Sequence, residues 1–159
     1  MYKKSIAMLA CLLSLLFAPP LAAQAGDVAV VVNPSNPTAN ISLADLRKIF
    51  AGEKHTWPVG GAPIRLFVRA PGSHERIVLL RILGMSETDY KQHWTAQIFR
   101  GEADSEPVAI ASFGMALEAT RAFPGAICLI DAGNIKPGML LKVIKVDGHL
   151  PGDPGYDLH

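Results

Sequence analysis

Cysteine is scarce in this sequence, which contains Cys11 and Cys128 and no others. Cys11 lies in an apolar N-terminal segment that we expect to be removed, so the remaining chain cannot form an internal disulfide. Cys128 lies in the apolar run 126–130, which is typical of a buried strand. A reactive thiol needs a polar and partly exposed setting, so we interpret Cys128 as a small core residue.

An excess of charge of one sign is also missing. The chain has 15 Lys and Arg against 14 Asp and Glu, and it has no basic run. This balance argues against binding to nucleic acid or to a membrane surface. Beyond the N-terminal segment, no apolar stretch reaches the roughly 20 residues that span a bilayer. We therefore expect no membrane insertion once that segment has been removed.

The residue patterns of common catalytic and metal sites are not found. The histidines show no paired spacing such as i, i+4, and they stand at positions 55, 74, 93, 149 and 159. No G-x-S-x-G elbow is present, and adjacent Ser73 and His74 would not align as a nucleophile and base. The sequence predicts no metal, no cofactor, no catalytic residues and no enzymatic activity.

The first 25 residues have the features of a cleavable secretory signal. Lys3 and Lys4 precede an apolar run over 6–17, and Ala23-Gln24-Ala25 supplies small residues at the positions that a signal peptidase reads. The apolar run is too short to span a bilayer. We expect residues 1–25 to be removed and the protein to be periplasmic.

The remaining segments predict one α/β domain. Strands are expected over 27–32, 63–69, 126–130 and 141–146, and helices are expected to start at or just after residues 42, 75, 86 and 112. This order favours a mostly parallel sheet flanked by helices, in which ligands bind beyond the carboxyl ends of the strands. The domain is expected over 26–147, followed by an irregular tail over 148–159.

One segment, 69–76, combines the features of an anion site. It runs from a strand end into a helix start, where unpaired N–H groups and a partial positive charge favour anions. Arg69, Gly72, Ser73 and Arg76 supply guanidinium groups, close backbone approach and a hydroxyl, which suit phosphate or sulfate. The same residues also fit ordinary helix capping, and Glu75 would repel an anion.

Several segments, in order, resemble the phosphate-binding proteins of phosphate ABC importers, which belong to the type 2 periplasmic-binding superfamily. Residues 41–52 are similar to a family helix that ends in Ile-Phe-x-Gly, and Trp57 follows at the expected distance. The strand ending at Arg69 leads to Gly72-Ser73, where the family has its Gly-Ser-Gly-Thr phosphate loop. Residues 123–127 resemble the family's Thr-Pro-Gly-Ala-Ile segment.

This resemblance implies a single periplasmic-binding-protein-like lobe, because full-length members have two lobes and about twice the length. It implies a small oxyanion as ligand and an ABC transporter's membrane subunits as partners. The candidate ligand-binding residues are Arg69, Gly72, Ser73, His74, Arg76, Asn33 and Ser35, the last two because they follow the first strand. His74 and Glu75 replace the loop's second glycine and threonine. The alternative is a periplasmic protein-interaction or sensory accessory module that has lost phosphate binding and docks to a membrane sensor or another envelope protein.

Overall fold

The computed structural model describes residues 26–159, so the expected signal segment lies outside the described residues. The six strands, in chain order, are β1 (Val28–Val32), β2 (Asn40–Ile41), β3 (Arg65–Arg69), β4 (Val108–Ile110), β5 (Ala126–Asp131) and β6 (Lys142–Val146). The four α-helices are α1 (Leu43–Phe50), α2 (His74–Leu83), α3 (Glu87–Phe99) and α4 (Phe113–Ala122). The expected α/β architecture is confirmed, and the two shortest strands, β2 and β4, are additions to the prediction.

Each α-helix begins after a serine whose hydroxyl accepts a hydrogen bond from the backbone N–H three residues further on. These serines are Ser42, Ser73, Ser86 and Ser112. At Ser86 the arrangement is a reciprocal capping box with Asp89. The caps supply acceptors for N–H groups that the first helical turn leaves unpaired, which is why the helices start where the sequence predicts.

The sheet has the strand order β2-β6-β1-β5-β3-β4. Strand β1 is antiparallel to both of its neighbours, whereas the other pairings are parallel. Five strands therefore run one way and the central strand β1 runs the other way. As a result, β1 ends on the side of the sheet where β3 and β5 begin. We call this row of strand ends the far edge. The edge where β3 and β5 end is called the site edge.

The two faces of the sheet are covered by different helices. Alternate β1 residues point to opposite faces, as the strand geometry requires. Val28, Val30 and Val32 join one hydrophobic cluster with side chains of α1, α2 and α3. Ala29 and Val31 join a second cluster with Ala116 of α4. The fold is thus a sheet between a three-helix layer and a single helix.

The C-terminal segment 148–159 contains no helix or strand, but it packs against the domain. The Tyr156 hydroxyl donates to the Val28 carbonyl at 2.6 Å, and the Val28 N–H donates to the Leu158 carbonyl at 2.7 Å. Both Tyr156 and Leu158 are buried in the three-helix cluster. This segment therefore contributes to the core beside β1. Over residues 26–159, no helix has the length and apolar character needed to cross a bilayer.

Candidate functional site

The turn from β3 to α2 lies at the site edge. Arg69 is the last residue of β3, and Ser73 caps α2 four positions later. Gly72 has a φ of 86°, in the left-handed region that glycine adopts readily. This conformation brings the chain sharply from the strand into the helix, so the N-terminus of α2 faces the same edge as the Arg69 side chain.

Arg69 is paired with a carboxylate of its own domain. Its Nε donates to Glu75 Oε1 at 3.2 Å, and its Nη1 donates to the Ile110 carbonyl at 3.3 Å. Glu75 Oε1 also accepts from the Asp131 N–H at 3.3 Å. The side chains are largely buried, with 12% of Arg69 and 6% of Glu75 exposed. The Glu75 carboxylate thus lies between the ends of β3 and β5.

Arg76 makes a two-point ion pair with Glu87 at the start of α3. Its Nε and Nη2 donate to the two carboxylate oxygens at 2.8 and 2.9 Å. The guanidinium carbon also lies 4.0 Å from the centre of the Tyr90 ring. Burial, the largest single effect, works to lower the Arg76 pKa, but the contacts with Glu87 and Tyr90 together outweigh it and the pKa is raised. Those same bonds, chiefly, lower the pKa of Glu87.

Ser73 and His74 complete the turn. The Ser73 hydroxyl accepts from the Arg76 N–H at 3.2 Å and still has its own proton to donate. His74 Nε2 lies 2.8 Å from the Gly26 carbonyl, so this nitrogen carries the proton and donates. Within residues 26–159, neither the His74 nor the Glu75 backbone N–H has a hydrogen-bond acceptor. These two donors are the open groups of the helix start.

A cleft of about 750 Å³ adjoins this turn. One side is formed by the end of β3 and the start of α2, and includes Arg69 and Arg76. The other side is formed by Tyr90 and Lys91 of α3 and by the segment 105–109 that leads into β4. The structure therefore brings both predicted arginines to one concave surface, with Gly72, Ser73 and His74 in the adjoining turn.

Asn33 and Ser35 do not lie at this surface, which corrects the prediction that they line the same rim. They follow β1, and the antiparallel direction of β1 places them at the far edge. Asn33 Nδ2 donates to the Thr120 and Arg121 carbonyls at 3.0 and 2.9 Å, and its Oδ1 accepts from Ser35. Asn33 thus joins the end of α4 to the end of β1, a structural role.

Most residues of the cleft were not predicted from the sequence, among them Glu87, Tyr90 and Lys91. These three belong to α3, whose Glu87 and Tyr90 contact Arg76 of α2. Glu75 was recognised only as a repulsive charge, and its ion pair with Arg69 depends on tertiary structure. No local pattern encodes these contacts, since the partners are on different elements.

Two other kinds of reactive group, the Cys128 thiol and possible metal ligands, show no arrangement suited to chemistry in the described residues. Burial, above all, raises the pKa of the Cys128 thiol to about 12, which fits the predicted core residue. The described part of the chain contains no cluster of three or more His, Cys, Asp or Glu side chains placed to hold a metal ion.

A family model described as a PBP superfamily domain matches residues 21–146. Several solved structures have the same fold. An ABC-type phosphate transport receptor from Vibrio cholerae is 21% identical with a TM-score of 0.62, over 79% of this chain and 48% of that one. PstS from Borrelia burgdorferi is 22% identical with a TM-score of 0.60, over 79% and 49%.

A phosphate binding protein from Stenotrophomonas maltophilia is 21% identical with a TM-score of 0.56, over 79% of this chain and 40% of that one. The chain therefore spans about half the length, or less, of the solved structures that it resembles. At these identities the likeness concerns the fold. No curated protein matches the chain at a significant level.

Proposed function

Because this chain belongs to the PBP superfamily, we propose that it is a periplasmic, non-enzymatic solute-binding domain whose β3–α2 turn binds a small oxyanion of the phosphate class. The observation that carries the proposal is that Arg69 and Arg76 both line the cleft beside the start of α2. The solved proteins with the same fold are described as phosphate-binding or phosphate-transport proteins, which supports this class of ligand.

The binding groups are of two kinds. The unpaired N–H groups of His74 and Glu75 point from a helix start, where the helix dipole favours an anion, and the Ser73 hydroxyl adds a third donor. The guanidinium groups of Arg69 and Arg76 provide planar donors that suit a tetrahedral oxyanion. The partners would be the membrane subunits of an ABC importer.

The carboxylate of Glu75 competes with the ligand. It already neutralises Arg69 and lies at the site edge, where it would repel an incoming dianion. We therefore expect weaker binding than the geometry of the donors alone would give. Replacing this carboxylate by an amide of the same shape should raise the affinity, because Arg69 keeps its position and loses a fixed anion.

The test is calorimetric titration of the mature domain with phosphate, with sulfate as the comparison anion. Saturable binding would support the proposal if the affinity falls at least tenfold in Arg69→Ala and rises in Glu75→Gln. Arg121→Ala is the matched control, since this exposed arginine lies on the last turn of α4 at the far edge. No heat from folded protein with either anion would contradict it, as would an unchanged affinity in Arg69→Ala.

A second candidate is an interaction module, and one observation favours it. Both arginines of the site already have carboxylate partners, so neither arginine needs a ligand to balance its charge. Strand β4 is the outermost strand on one side of the sheet, and half of its Val108 is exposed. This outer strand offers a surface to another envelope protein such as a sensor. Absence of anion binding in Glu75→Gln as well as in the parent protein would favour this function.

A further inference from the structure

Gly26, which precedes β1, is held at the site edge. Strand β1 begins on the side of the sheet where β5 ends, because the two strands are antiparallel. His74 Nε2 donates to the Gly26 carbonyl at 2.8 Å, and the Ala132 N–H donates to the Asp27 carbonyl, also at 2.8 Å. The peptide group that follows Gly26 is therefore fixed between the start of α2 and the end of β5.

The carboxylate of Asp131 faces the Cα of Gly26. A β-carbon placed on Gly26 would lie 3.9 Å from Asp131 Oδ1. This oxygen accepts from the Gly133 N–H at 2.8 Å, and a carboxylate oxygen can accept a second hydrogen bond. Lys136 Nζ lies close by but donates to the Gly133 carbonyl. Within residues 26–159, Asp131 has no lysine or arginine partner in an ion pair.

Asp131 is joined to the candidate anion site by hydrogen bonds. Its N–H donates to Glu75 Oε1 at 3.3 Å, and the same oxygen accepts from Arg69 Nε. The carboxylates of Asp131 and Glu75 therefore both lie where β5 ends and α2 begins, and both repel an anion. Glu75 has an arginine partner, whereas Asp131 has none among the described side chains.

Removal of residues 1–25, as the sequence predicts, turns the Gly26 nitrogen into a free α-amine. An α-amine has an ordinary pKa of about 8, so it is mostly an ammonium ion at neutral pH. A terminal amine can also turn about the Cα–C bond, since no residue precedes it. One third of a turn brings the nitrogen to the tetrahedral position that a β-carbon would occupy, while the Cα and the carbonyl stay in place. That position is 3.9 Å from Asp131 Oδ1, within the range of an ion pair.

We propose that removal of the signal segment adds a charged group to the site edge: the Gly26 ammonium pairs with Asp131 and lowers the negative charge that an anion meets at the β3–α2 turn. The inference rests on cleavage after Ala25 and, for its effect on the ligand, on the proposed function. In the precursor the same nitrogen is a neutral amide and cannot compensate the Asp131 carboxylate. The mature protein therefore has the higher affinity for an oxyanion.

The first measurement is the mass of the N-terminal peptide of the exported protein. We expect this peptide to begin at Gly26, because small residues at positions 23 and 25 mark cleavage after position 25. An N-terminus at any other residue would overturn the proposal, since the ammonium would then be displaced from Asp131.

Acetylation of the α-amine then tests the ion pair by thermal unfolding. At about pH 6.5 the α-amine reacts before the lysines because its pKa is lower, and peptide mass verifies the product. We expect acetylation to lower the melting temperature of the parent protein by about 2 °C, the effect of one exposed ion pair. It should have no effect in Asp131→Asn, whose amide oxygen can still accept from Gly133.

Asp27→Asn is the matched control for this experiment. It removes the carboxylate of the residue next to Gly26, which accepts from the Gly152 N–H and is not the proposed partner. Acetylation should therefore lower the melting temperature of Asp27→Asn as much as that of the parent protein. An equal effect of acetylation in Asp131→Asn and in the parent protein would overturn the ion pair.

Calorimetric titration with inorganic phosphate tests the effect on the site. We expect acetylation to weaken phosphate binding by the parent protein about threefold, the effect of one partly screened charge. In acetylated Asp131→Asn the affinity should return to that of the unmodified parent protein, because the uncompensated carboxylate has been removed. The same affinity in acetylated and unmodified parent protein would overturn the effect on the ligand.

These readouts distinguish failure of this inference from failure of the proposed function. Phosphate binding that acetylation does not change would overturn this inference and leave the proposed function in place. If no form of the protein binds phosphate, the proposed function fails and the effect on affinity fails with it. The melting temperatures decide in either case whether the Gly26–Asp131 ion pair exists.

Discussion

The two edges of the sheet are held together by different interactions. At the site edge, the contacts are ion pairs between side chains: Arg69 with Glu75, and Arg76 with Glu87. At the far edge, the contacts include hydrogen bonds from side chains and N–H groups to backbone carbonyls. The Gly125 carbonyl accepts from Trp57 Nε1 at 3.1 Å and from the Arg65 N–H at 2.9 Å.

This difference separates stability from function within one small domain. A buried carbonyl that loses its donor is left unsatisfied, so the far edge tolerates few substitutions. A charged side chain at the site edge can exchange one oxyanion partner for another, although its former carboxylate partner then loses that pair. We infer that the far edge fixes the fold, whereas the site edge is where ligands can enter.

Gly125→Ala should have the largest effect. A Cβ at this position would overlap the backbone carbonyl of Pro63, which cannot rotate away as a side chain could. We expect a loss of roughly 3 kcal/mol or more in the free energy of unfolding, or no folded protein. Gly114→Ala is the control, since nothing lies within 4 Å of its added Cβ in α4. Equal stability of the two variants would remove the distinction between the edges.

Asn33→Asp should be the next most damaging change. The substitution keeps the shape but removes both N–H donors and places a carboxylate against the Thr120 and Arg121 carbonyls. We expect a loss of about 2–3 kcal/mol, measured by urea unfolding at pH 7. Asn40→Asp is the control, because Asn40 is exposed and acts as an acceptor to Gly148. A reduced phosphate affinity in folded Asn33→Asp would return this residue to the binding site.

Ser73→Ala should lower stability by about 1 kcal/mol through the lost helix cap. Ser112→Ala removes the equivalent cap of α4, so we expect a similar loss in thermal or urea unfolding. The two variants should differ in phosphate titrations, where Ser73→Ala alone weakens binding several-fold. Identical titration curves for both variants would assign Ser73 to capping only.

The smallest effect concerns pH. Hydrogen bonds from Arg76 lower the pKa of Glu87 in the folded protein. The resulting stabilisation is complete above the ordinary glutamate pKa of roughly 4.3 and is lost as pH falls through the lowered value. Because Glu87 is partly exposed, we expect Glu87→Gln to remove only about 0.5 kcal/mol at pH 7 and to weaken the acid-induced loss.

Glu118→Gln, at an exposed position of α4, is the control for this comparison. It should leave the pH dependence of the unfolding free energy as in the parent protein. If Glu87→Gln and Glu118→Gln give the same profile, the ion pair at the site edge contributes nothing to stability.

The sequence predicted the local features of the fold closely. Serine caps and glycine stops encode helix limits within the chain itself, so α2 was expected over 75–83 and is observed over His74–Leu83. The three-residue strand β4 has no such signal, because its pairing with β3 depends on residues 41 positions away. The direction of β1 is equally a tertiary property, and it is the reason that Asn33 was placed at the wrong edge.

The candidate site was predicted in part for the same reason. The strand–turn–helix pattern located Arg69, Ser73 and Arg76 correctly at one edge of the sheet. The carboxylate partners of the arginines could not be predicted, since Glu87 belongs to another helix and Glu75 turns back towards β3. The candidate anion site was proposed from its donors, whereas the structure adds the groups that compete for them.

The central position of β1 has a consequence for the order in which the protein can fold. Both neighbours of this first strand, β5 and β6, come from the last third of the chain. The middle of the sheet therefore cannot form while the chain is still being made, and local helices must wait for long-range pairing. High contact order of this kind slows folding. We therefore expect the centre of the core in a nascent chain to form only after β5 and β6 are available.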